Sequence, residues 1–128
     1  MAVTAPLRPK TVRHGHRPKF APEELTTVAA DQAIPITEDA TFYITKGSAA
    51  ALTVAAPGAQ NVGRRLTFIG GSDFAHVVTF TGATLHDGTT GGHATATSPA
   101  FQGGGLTVEA VTAAKWSVVS MNLFVITT

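Results

Sequence analysis

The chemistry open to this chain is set by five histidines, one tryptophan and the absence of cysteine. Two clusters hold the residue types that metal binding or catalysis uses. His86 and Asp87, with His93 further on, combine imidazole and carboxylate donors, and Ser72, Asp73 and His76 set a hydroxyl near a base. Zinc takes three or four ligands from a rigid frame, whereas His93 stands between Gly91-Gly92 and the Gly103-Gly104-Gly105 run. A serine nucleophile needs an oriented base and oxyanion donors, whereas Gly70-Gly71-Ser72-Asp73 has the composition of a turn. Both clusters are therefore expected to serve turns and surface, with no catalytic residue, no metal site and no cofactor. The triple glycine is not a phosphate loop, because no Lys-Ser/Thr follows and Leu106-Thr107-Val108 alternates like a strand. Trp116, close to Val118 in a strand-like run, reads as core rather than as a platform for a sugar or base.

Charge is the second source of chemistry. Arg8, Lys10, Arg13, Arg17 and Lys19 fall within the first 20 residues with no acid among them, so this segment carries +5 while the remainder, with 4 basic and 8 acidic residues, carries −4. Pro6, Pro9, Pro18, Pro22 and Pro35 punctuate the same region. Proline fixes φ and biases its predecessor to extended geometry, so residues 1–40 read as an extended basic arm, with one short helix allowed at Pro22-Glu23-Glu24-Leu25. Arg8, Lys10, Arg13, Arg17, Lys19 and Phe20 are the residues expected to anchor this arm on an acidic protein surface, which an extended chain can wrap as it orders. Nonspecific nucleic-acid binding through five cations is the less favoured reading, and a solvated tail is the bland one. No run approaches the roughly 18 apolar residues of a membrane span, and the start lacks the apolar core of a signal peptide. Soluble synthesis in the cytoplasm, without a membrane partner, is the expectation.

Positioning any of these groups falls to short β-type runs. Thr41-Phe42-Tyr43-Ile44-Thr45 opens a series that continues through Leu52-Thr53-Val54, Leu66-Thr67-Phe68-Ile69 and Val77-Val78-Thr79-Phe80. Pro57-Gly58 marks a turn and Asp87-Gly88 a hairpin. Period-two alternation points Leu66, Phe68, Val78, Phe80, Leu106, Val108, Ala110, Trp116 and Val118 inward. About eight strands separated by turns predict an all-β fold, a single jelly-roll-like sandwich or barrel over residues 41–128 behind the N-terminal arm. No repeat of fixed period is visible, which argues against a solenoid. The last run, Met121 to Ile126, is apolar on both alternate faces. A strand of that kind must be covered twice, so Leu123, Phe124, Val125 and Ile126 are the expected interface between copies of the chain.

The order Leu52-Thr53-Val54, Pro57-Gly58, Asn61-Val62-Gly63-Arg64, Val77-Val78-Thr79-Phe80, Gly82, Leu85, Asp87-Gly88, Leu106-Thr107-Val108 and Lys115-Trp116-Ser117-Val118 resembles the small β-domains of tailed-phage virions, found in head decoration (cement) proteins and in fibres. The resemblance spans roughly residues 50–120. It implies a structural virion protein without catalysis, bound to the major capsid protein on the capsid exterior, and a homo-oligomer, with a trimer favoured over a dimer. The basic arm and the lack of a repetitive shaft favour decoration over the alternative, a receptor- or glycan-binding fibre module.

Overall fold

A computed structural model describes residues 25–89 and 91–128. Among them are eleven strands: β1 (Leu25–Val28), β2 (Gln32–Ala33), β3 (Ala40–Ile44), β4 (Ala51–Ala55), β5 (Arg65–Gly70), β6 (Val77–Thr81), β7 (Thr84–His86), β8 (Thr95–Thr97), β9 (Gly105–Thr112), β10 (Lys115–Asn122) and β11 (Val125–Thr127). They form a β-sandwich. One sheet has the order β1-β3-β5-β9-β10-β7 and the other β11-β8-β6-β4-β2. The only helical element described is a 3-10 turn, Ala59–Asn61.

Connectivity separates the two halves. From β1 to β6 the chain alternates between sheets and each strand pairs in parallel with the one two places on, giving three stacked coils: β1 with β2, β3 with β4, β5 with β6. Jelly-roll strands pair antiparallel instead, as β5 with β9, β9 with β10, β6 with β8 and β8 with β11 do here. Ala40 lies against Leu66 and Ala51 against Val77, an offset of 26 residues in both sheets. The chain therefore holds a repeat that its letters conceal. At this offset Thr41 matches Thr67, Phe42 matches Phe68, Ala49 matches Ala75 and Thr53 matches Thr79, while elsewhere only the alternation is kept. Asp87-Gly88 does form a turn, with Asp87 Oδ1 accepting from Thr89 N–H at 2.9 Å, but β7 pairs in parallel with β10 and meets the returning chain only at a Leu85–His93 bridge.

The boundary expected at residue 41 lies too far along the chain. β1 and β2 belong to the two sheets, Val28 is fully buried and Ile34 nearly so, so the body already includes Leu25. Of the helix allowed at Pro22-Glu23-Glu24-Leu25, the first three residues lie outside the described ones, and Leu25 opens β1 with the β-branched Thr26-Thr27-Val28.

Alternation fills the core as expected. Phe42, Ile44, Leu52, Val54, Leu66, Phe68, Val78, Phe80, Leu106, Val108, Ala110 and Trp116 are buried between the sheets. Phe42 stacks on Phe68 at 5.5 Å and Phe80 is tilted against Trp116 at 6.4 Å. The indole N–H of Trp116 donates to Ala55 O at 3.0 Å, so its one polar atom is satisfied within the core.

Candidate functional site

The Ser72, Asp73 and His76 cluster sits where three loops meet at one end of the sandwich. His76 is completely buried. Its Nδ1 accepts the Ala50 N–H at 3.0 Å, which fixes the proton on Nε2, and Nε2 lies 2.9 Å from Ser72 Oγ. Ser72 Oγ in turn donates to Lys46 O at 2.6 Å. The order of donors thus runs from imidazole to hydroxyl to carbonyl, opposite to what a general base would need. Asp73 faces away from the ring, accepting from Gln102 N–H at 3.3 Å. The His76 N–H donates to Ser98 Oγ, and Ser98 N–H returns to His76 O. These bonds staple the loops that follow β3, β5 and β8. Burial, with the Lys46 charge as a smaller cause, holds the His76 pKa below the ordinary histidine range. Nearby, Asp31 accepts from Lys46 Nζ at 2.7 Å and from Ala51 N–H at 2.9 Å, and these bonds hold its carboxyl below the usual range.

The second cluster is looser. His93 Nε2 lies 3.6 Å from Asp87 Oδ2, while His86 Nε2 contacts Thr84 Oγ1 at 3.1 Å, so the two imidazoles are turned to different partners. No group of three or more His, Asp or Glu side chains among the described residues is placed to hold a metal ion. A shallow cavity of about 190 Å³ at the β1 edge is lined by Thr26, Pro35, Thr37, Glu38, Ala40 and Phe42.

The third candidate is the end of the chain. The run from Met121 to Ile126 is not one strand. β10 continues to Asn122 with a bulge between Val118 and Ser120, then Leu123, at φ 68°, turns the chain from one sheet into the other. Phe124 is buried and Ile126 packs against the core, so these two expected interface residues serve the fold instead; Leu123 and Val125 are 68% and 59% exposed. Val119 and Met121 are exposed beside them, and sequence reading missed both. The signal that marks them is that Ser117–Thr128 carries no charge. Arg8, Lys10, Arg13, Arg17, Lys19 and Phe20 lie outside the described residues. Among the described residues, no helix is long and apolar enough to cross a membrane.

No protein-family model matches the chain, and neither does any curated protein.

Two opposite edges of the sandwich differ in character. At one, Leu25, the first described residue, begins β1, the end strand of its sheet. At the other, β10 and β11 present an uncharged apolar border.

Proposed function

We propose that the chain is a structural virion protein that docks on the outside of a tailed-phage capsid and stabilises the shell by bridging major capsid protein subunits. One observation supports this reading: a bridging protein needs separated contacts, and Leu25, the first described residue after the +5 segment in sequence, opens β1 at one edge of the sandwich while the uncharged border lies at the other. The capsid as partner comes from the resemblance of residues 50–120 to virion β-domains. The function is mechanical. Internal DNA pressure pushes subunits apart, and every contact that spans two of them adds buried surface that must be lost before they separate.

The test is cosedimentation of the full chain with expanded empty capsids, beside a chain that lacks residues 1–20. Binding by the full chain, loss of binding by the truncated one, and a rise in the heat resistance of the shell are the expected results. Binding to host cells or glycans without binding to capsids would replace this reading with the fibre module.

A further inference from the structure

The edge formed by β10 and β11 is where the sandwich is unfinished. β9 covers one side of β10, but on the other side β7 pairs only at Lys115–Ser117, so among the described residues Val118–Asn122 has no strand partner on that side, and β11 is the last strand of its sheet. The two edges share one side of the molecule and are joined through Leu123 and Phe124. Natural proteins guard exposed edges with charge, proline or a covering segment. The twelve residues Ser117–Thr128 include neither a charged residue nor a proline. Val119 and Met121 are 44% and 46% exposed, and Leu123 and Val125 more so. Met121 is paired across the sheet with the buried Leu106, yet is itself nearly half exposed.

We propose that this edge is a self-association surface, occupied by the β10–β11 edge of a second copy of this chain. Charge selects the occupant. From residue 25 onward the body carries Lys46, Arg64, Arg65 and Lys115 against Asp31, Glu38, Asp39, Asp73, Asp87 and Glu109, a net −2 with every charge outside Ser117–Thr128. Two copies of like charge approach at least cost where neither presents any, and a neutral border offers nothing to attract a charged partner surface. Edge strands add backbone hydrogen bonds to a neighbour's edge, and exposed apolar side chains supply the packing. Contact between the same patch on two copies is self-complementary and closes on itself. This surface is distinct from the arm and stands whether or not the larger assembly is a virion.

The experiment is light scattering of the full chain across the micromolar range, with peptide-level hydrogen exchange. Two variants accompany it: Val119→Lys with Met121→Lys, and Leu123→Asp with Val125→Asp. All four positions are exposed, and circular dichroism with Trp116 fluorescence reports whether each variant is folded. The wild type should be oligomeric, with slow exchange over residues 117–127. At least one folded variant should associate about a hundredfold more weakly, with fast exchange in that segment. A monomeric wild type would overturn the proposal, as would folded variants that keep the wild-type oligomer. Binding of the monomer to neutral phosphatidylcholine vesicles would overturn it as well, by assigning the border to lipid.

Discussion

His76 joins three loops through its ring and its backbone. Its Nδ1 must stay unprotonated to accept the Ala50 N–H. A depressed folded-state pKa means that the unfolded chain takes up the proton first as pH falls. Stability is therefore complete above the unfolded histidine value of about 6.5 and declines as pH drops through and below it. Urea midpoints measured from neutral to mildly acidic pH should fall on the acid side in the wild type. His76→Leu should be destabilised by about 1–3 kcal/mol at neutral pH, since the Ala50 N–H loses its acceptor, and should show a shallower acid decline. An equal decline in both proteins would assign it to other groups. Leu123 is the other instructive residue. A left-handed backbone costs a leucine roughly 1–2 kcal/mol and a glycine little. Leu123→Gly should then leave the monomer as stable or more so by denaturation while weakening self-association by light scattering, and a loss on both counts would show that the exposed side chain supports the fold.

Among the elements, the turns after β3 and β5 are closely fitted to each other. Gly71 N–H donates to Ile44 O at 2.7 Å, and a Cβ at Gly71 would stand 2.7 Å from the Tyr43 ring and 2.9 Å from Ile44 O. Gly71→Ala should cost about 1–3 kcal/mol through that overlap; an unchanged melting temperature would mean that the Tyr43 ring swings aside freely. Strand existence and inward faces were legible in the sequence because alternation is a local signal: Leu66 with Phe68, and Leu106 with Val108 and Ala110, point inward as their spacing requires. Pairing direction was not legible, because nothing local distinguishes a strand that meets its predecessor from one that meets the strand two places back. The corner at Leu123 was hidden for a related reason: the six apolar or neutral residues Met121 to Ile126 read as one strand until the jump between sheets is seen. Of the candidate sites, Ser72 and Asp73 were legible as turn residues. The direction of the His76 hydrogen bonds depends on Ala50 and Lys46, which are distant in sequence.

At the scale of the whole molecule, the charge partition and the sandwich are separable in principle. Removal of residues 1–20 takes away the +5 segment and none of the described strands, so circular dichroism and melting of residues 21–128 should match the full chain; a lost transition would place the segment in the fold. Since Leu7, Val12 and Phe20 accompany its cations, added salt should slow association with capsids more than it hastens release, and complete loss of binding at moderate salt would indicate a purely ionic contact. The matched 26-residue offset of β3 to β5 and β4 to β6 has a further consequence. The stack grows by coils that give one strand to each sheet, although the coils differ in length: β1 is offset from β3 by 16 residues and β2 from β4 by 20. Repeating residues 40–65 once in tandem would add one strand to each sheet and widen the sandwich by about 4.8 Å, with every Phe and Leu still facing inward. An insertion half that long would carry the same letters and put them in no layer at all. This part of the molecule is therefore expected to change length in steps of a whole coil.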